Sequence, residues 1–204
     1  MVERSWTEVR LDGPVAVRPE PQTLIVVAQA LGKGDRFEQV VQHGTEVGAT
    51  VFVPVAADRC VATVRAVVSR GADRLARWNQ IAKDAAQQCG RCRIPVVMPP
   101  VQSRELLRLS KDAENDEGPN SETELRLLLH TDADATPIRA VLDAQGNHPA
   151  RVTIAIGPEG GWSPDEVRTA RASGWLEVAI GPYVLRTETA ALVAITRIMH
   201  CFED

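Results

Sequence analysis

Apolar positions along this chain fall into two alternating rhythms from Leu24 to the C-terminus. Short apolar runs predict strands at Leu24–Ala30, Thr50–Ala56, Pro95–Val101, Leu125–His130, Val152–Ile156 and Glu177–Ile180. Helical patterns fill the intervals, over Arg36–Val47, Ala72–Cys89, Ser103–Leu109, Pro137–Leu142, Pro164–Ala172 and Thr187–Cys201. Several strands are continuous apolar runs, as when helices cover both faces of a sheet. Such alternation predicts an α/β fold with a mostly parallel sheet flanked by helices. No internal repeat interrupts it.

Two segments stand outside the rhythm. Residues Lys111 to Glu124, KDAENDEGPNSETE, carry six acids and almost nothing apolar, and read as a mobile surface insertion (111–124). Residues 1–22 hold scattered prolines and a few β-type residues, too little for a domain, and read as a lead-in to the unit 23–204. At 204 residues, with 44% hydrophobic and 25% charged positions, the chain suits one substantial core. No apolar run approaches the eighteen or so residues of a membrane span, and MVERSWTEVR has no secretory h-region. Four cysteines without an export signal point to the cytoplasm.

The net charge of −4 argues against a polyanionic partner, but its distribution does not. Between Arg59 and Arg93 eight Arg or Lys stand against Asp73 and Asp84, a local net of +6. That stretch reads either as a solvated helix face or as a surface that meets phosphates.

The chemistry concentrates in short turns. Ile154–Glu166, IAIGPEGGWSPDE, ends a buried strand in a glycine-rich turn and opens a helix at once. Ser163-Pro164-Asp165-Glu166 is a capping box, so that helix starts at a fixed place. Gly157, Gly160 and Gly161 permit left-handed backbone or close approach of a ligand, at the strand end where open α/β sheets bind ligands. A tight connection without any ligand fits equally. Ile180–Ala190, IGPYVLRTETA, repeats the grammar, with Thr187 and Glu188 placed to cap the next helix. Leu127–Thr131, LLLHT, is a third strand running into a polar turn. The chain has no GxGxxG, no GxxxxGK[ST] and no GxSxG. Cys89-Gly90-Arg91-Cys92 is a lone CxxC; Cys60 and Cys201 supply no second pair, so no metal site is expected.

Taken in order, GKGDRFEQVVQHGTEVGATVFVPVAADRCV, WNQIAKDAAQQCGRCRIPVV, IGPEGGWS and IGPYVLRTETA resemble the RsmE family of SPOUT-superfamily RNA methyltransferases. The resemblance runs from about residue 24 to the C-terminus. It implies a SPOUT-type sheet with a deep trefoil knot over about 125–204, and S-adenosyl-L-methionine bound between three knot loops. Those loops would use Leu129, His130 and Thr131; Ile156, Gly157, Glu159, Gly160 and Gly161; and Ile180, Gly181, Val184, Leu185 and Thr187. It further implies a cytoplasmic homodimer that methylates uridine N3 in 16S ribosomal RNA or the small ribosomal subunit. Members usually begin with a PUA-like β-barrel, of which residues 1–22 could hold at most a remnant.

Methylating uracil N3 requires loss of a proton and stabilisation of the resulting anion. By the resemblance, Arg186 is the stabilising cation and Glu188 the weaker candidate for base, capping being its alternative role. Glu159 would orient the loop or cofactor. Arg59, Gln88, Arg91 and Arg93 are the candidates for gripping RNA. Two further readings stay open: a knotted methyltransferase acting on another rRNA or tRNA nucleotide, and a non-catalytic module that binds the cofactor or RNA.

Overall fold

The computed structural model describes residues 13, 19–60, 71–108, 124–131, 135–146 and 148–203, without the side chains of 71–73. Most of the 1–22 lead-in, the 111–124 insertion except Glu124, and residues 61–70 of the basic stretch lie outside them. The strands are β1 (Leu24–Ala30), β2 (Val51–Ala56), β3 (Val96–Val97), β4 (Val101–Gln102), β5 (Glu124–Leu129), β6 (Thr136–Pro137), β7 (Arg151–Ile156) and β8 (Leu176–Ala179). The helices are α1 (Arg36–Glu46), α2 (Gly71–Cys89), α3 (Ser103–Arg108), α4 (Ile138–Asp143), α5 (Pro164–Ala172) and α6 (Thr187–Phe202).

All described strand pairings are parallel, in the order β3-β2-β1-β7-β5-β8-β6, with β4 also on β2. The predicted α/β class with a parallel sheet is what forms. β1, β5 and β7 are buried almost throughout, because helices cover the sheet and no face is left for polar alternation. α1 packs on α2 and α6, α4 on α6, and α3 on α5. α6 presents Ala190, Ala191 and Ala194 with Ile195 and Ile198 to the core. Phe37 and Trp78 join α1 to α2, ring centroids 4.6 Å apart. Glu203, just past α6, accepts hydrogen bonds from the amides of Gln22 and Thr23 (3.0 and 2.8 Å) and so ties the segment before β1 to the end of α6.

The expected strand Pro95–Val101 is instead two short ones. Met98 N–H still donates to Phe52 O (2.8 Å), but Pro99 and Pro100 have no N–H to give. Pairing resumes one residue out of step: Phe52 faces Val97, yet Val55 faces Val101. β6 was not anticipated. Pro137, read as the first residue of a helix, is extended (φ −54°, ψ 128°), ends β6 and precedes α4. α6 is capped differently from expectation too. Arg186 is its N-cap residue, with no side-chain capping bond, and Thr187 and Glu188 are already helical. The remaining boundaries fall within one residue of expectation. Among the described residues no helix is long and apolar enough to cross a membrane.

Candidate functional site

Three neighbouring strands of the sheet, β7, β5 and β8, run parallel and end at the same edge. Their exit loops enclose a cavity of about 520 Å³, within the ~300–1,000 Å³ usual for small-ligand sites. Leu129, His130 and Thr131 line it from β5; Ile156, Gly157, Glu159 and Gly161 from β7; Ile180, Gly181, Val184, Leu185 and Thr187 from β8 and the start of α6. The structure therefore gathers twelve of the thirteen residues expected at a cofactor site. Gly160 is the exception. A Cβ there would meet Arg59, 3.4 Å from its Cβ, a residue outside the cavity lining.

The β7 loop is held from several sides. Gly161 takes φ +68°, closing a turn in which its N–H donates to Pro158 O (2.8 Å). The capping box is complete: Ser163 Oγ accepts from Glu166 N–H, and Glu166 accepts from Ser163 N–H (2.7 Å). Glu166 is fully buried, and its other carboxylate oxygen accepts from Asp58 N–H (2.9 Å) just after β2. Ser163 Oγ also donates to Asp58 (2.9 Å), while Arg59 Nη1 donates to Gly160 O (2.9 Å). Trp162 lies against the cavity, 3% exposed, and its indole N–H donates to Leu129 O (3.1 Å), joining the β7 and β5 loops. A Cβ on Gly157 would meet that indole nitrogen at 3.1 Å, so glycine is what lets the ring lie there.

Sequence reasoning missed Trp162, although it stands in the IGPEGGWS stretch; a tryptophan directly after two glycines was its signal. Pro158, Pro182 and Tyr183 also line the cavity without having been singled out. Arg36 was missed altogether. It opens α1 and pairs with Glu159, with Nε 4.0 Å from Glu188 Oε2. Nothing local in the sequence marks a contact between positions so far apart.

The chemical candidates sit at the edge. Arg186 and Glu188 lie outside the cavity lining, beside Thr187, which is part of it. Arg186 is exposed, and Glu188 is largely buried, accepting from Thr187 Oγ1 (3.2 Å). Among the described residues His130 Nδ1 is buried without a hydrogen-bond partner, and it lies 4.0 Å from Glu177, which also pairs with Arg171. Of the RNA candidates, Arg59, Gln88 and Arg93 are exposed. Arg91 is committed elsewhere: it pairs with Glu20 (2.7 Å) and donates to the carbonyls of Thr45 (3.0 Å) and Ala49 (2.6 Å). Burial pushes the Glu20 carboxyl up, but hydrogen bonds from Arg91 and from the Arg93 and Cys92 amides, with the Arg91 charge, outweigh it and hold it below the ordinary value. All four cysteines are free thiols.

Residues 18–199 match the family model for the RNA methyltransferase domain. The chain is 36% identical to the ribosomal RNA small subunit methyltransferase E of Synechocystis over 91% of its own length and 55% of the relative's. It is 30% identical to the same-named protein of Bacillus subtilis, over 96% of this chain and 70% of that one. The ribosomal RNA small subunit methyltransferase E of Neisseria gonorrhoeae, solved bound to S-adenosyl methionine, superposes with a TM-score of 0.73 at 31% identity, covering 90% of this chain and 68% of that one. The chain thus spans little more than half of the Synechocystis relative.

Proposed function

From the premise that this chain belongs to the RNA methyltransferase domain family, we propose that it transfers a methyl group from S-adenosylmethionine to N3 of a uridine in 16S ribosomal RNA. The observation that carries this reading is the meeting of three parallel-strand exits on one cavity of about 520 Å³. The lining suits an adenosyl ligand. Leu129, Ile156, Ile180 and Leu185 offer apolar surface to a base, and Glu159, Thr131 and Thr187 offer polar groups to a sugar or amino group. Among the described residues nothing stands within 4 Å of where a Gly181 side chain would start, and the buried His130 Nδ1 has no hydrogen-bond partner.

When bound, S-adenosylmethionine supplies an electrophilic methyl group. Transfer would require uracil to lose its N3–H proton, with the methyl passing from sulfur to nitrogen and S-adenosylhomocysteine as the leaving group. Arg186, permanently charged and exposed beside the cavity, stabilises the uracil anion. Glu188, one residue beyond the cavity-lining Thr187, is the acceptor for the proton. Arg59, Gln88 and Arg93 bind the RNA, while Arg91 holds Glu20 and the carbonyls of Thr45 and Ala49. Residues 23–204 act as the methyltransferase unit in the cytoplasm, threaded as a trefoil knot over about 125–204. Two copies pair, which accords with Tyr183 and Val184 being 80% and 81% exposed at the cavity mouth.

Calorimetric titration with S-adenosylhomocysteine tests the cavity, and primer extension on treated small subunits tests the product. A methyl on N3 blocks the pairing edge and stops the primer at one uridine. Binding by the parent, its loss in Gly181→Trp, and one new stop support the proposal. No binding by folded parent sinks it, while binding with no stop leaves only the cofactor-binding module.

A further inference from the structure

Glu159 lines the cavity from the β7 loop, and Glu188 stands in the first turn of α6, next to the cavity-lining Thr187. Both face one guanidinium. Arg36 Nη1 donates to Glu159 Oε1, and Arg36 Nε lies 4.0 Å from Glu188 Oε2. The Glu188 side chain is 17% exposed, so its charge is poorly served by solvent. Gly32 leaves room for the arrangement: a Cβ there would come within 3.0 Å of Glu159 Oε1 and 3.6 Å of Arg36 Cδ. Without the cation two carboxylates would converge on one site and push the two walls apart.

We propose that Arg36 is a positioning residue that ties the β7 loop to the start of α6 and so holds the cavity at the width its ligand needs. The proposal rests on reading that cavity as the S-adenosylmethionine site. Arg36 itself does not line the cavity, and acts through Glu159 and Glu188. Lysine at this position would keep the charge but could not face both carboxylates with separate nitrogens of a planar fork.

Two measurements test it. Hydrogen exchange is followed first in the ligand-free protein, comparing parent, Arg36→Lys and Arg36→Gln. The expected result is severalfold faster exchange in Arg36→Gln across Gly160–Trp162 and Thr187–Ala190, with β1 and β7 unchanged and Arg36→Lys intermediate. Unchanged exchange at those amides, or equal acceleration throughout the sheet, overturns the tie. S-adenosylhomocysteine is then titrated into Arg36→Gln, Glu188→Gln, which alters a carboxylate outside the cavity lining, and the double variant. Each single change weakens binding by about fivefold, and the double variant by no more than either. Fully multiplicative losses, or unchanged affinity in Arg36→Gln, overturn the positioning role. A parent that binds no S-adenosylhomocysteine refutes the cofactor reading and the cavity-width claim together, while the exchange result still decides the tie.

Discussion

Asp165 and Glu166 are adjacent carboxylates in the first turn of α5, yet removing them should have very different effects. Both interact with the helix dipole, but only Glu166 is fully buried, accepting from the amides of Ser163 (2.7 Å) and Asp58 (2.9 Å). A hydrogen bond to a charged group contributes about 1.5–3 kcal/mol, so the two in Glu166 account for about 3–6 kcal/mol. Part is offset, because truncation also removes the cost of keeping a carboxylate out of water, leaving a net loss of about 2–4 kcal/mol in Glu166→Ala. For a chain of this size each kcal/mol lowers Tm by about 2–4 °C, which gives a fall of about 4–16 °C. Glu166→Gln keeps the shape but turns an NH2 against one donor amide, and should lose about half as much. Asp165→Asn removes an exposed pair with Arg168 and should change stability by about 0.5 kcal/mol or less. Thermal melts followed by circular dichroism at pH 7 compare the three. A fall under about 2 °C in Glu166→Ala, or equal falls in Glu166→Ala and Asp165→Asn, would refute the argument that burial and double acceptance make this carboxylate structural.

Gly157→Ala forces a Cβ to within 3.1 Å of the Trp162 indole nitrogen, whereas Gly160→Ala makes only an ordinary 3.4 Å contact with Arg59. Calorimetry should show S-adenosylhomocysteine binding about tenfold weaker in the first and within about twofold of parent in the second. The Glu20 carboxyl is held below its ordinary 4.5, so its contribution is complete above that value and is lost as pH falls through the lower folded value. Glu20→Gln should therefore lower Tm at pH 7 and converge with parent as pH falls through the lowered folded value; a constant difference would contradict the pairing with Arg91. Burial pushes the Cys60 and Cys201 thiols up, and Cys92 is exposed. In native protein Ellman's reagent should modify Cys92 first and Cys60 last, as read by peptide mass spectrometry.

Much of this was legible along the chain because its causes are local. Apolar runs such as Leu24–Ala30 and Val152–Ile156 read as strands covered on both faces, and the capping box Ser163–Glu166 marked its helix start. The loops that wall the cavity were also readable, since glycines collect where strands end. What escaped reading depends on distant partners. Arg36 meets Glu159 across 123 residues, and Glu166 meets Asp58 across 108. Arg91 looked like a phosphate ligand because its stretch is basic; only the folded chain brings Glu20 and two carbonyls around it. The break at Pro99-Pro100 was visible in sequence, yet the apolar run on either side masked it.

The pairing of β1 has a consequence for how the chain is made. β1 sits between β2 and β7, and Leu24 lies beside Arg151. On a translating ribosome β2 appears soon after β1, but about 120 residues separate Ala30 from Arg151. At roughly 5–20 residues per second, the second edge of β1 stays open for about 6–24 seconds. During that interval a hydrophobic strand edge is available to wrong partners, including another nascent copy. Slow elongation between codons 30 and 151 should lower the soluble yield, and a holdase chaperone that covers the nascent chain should restore it.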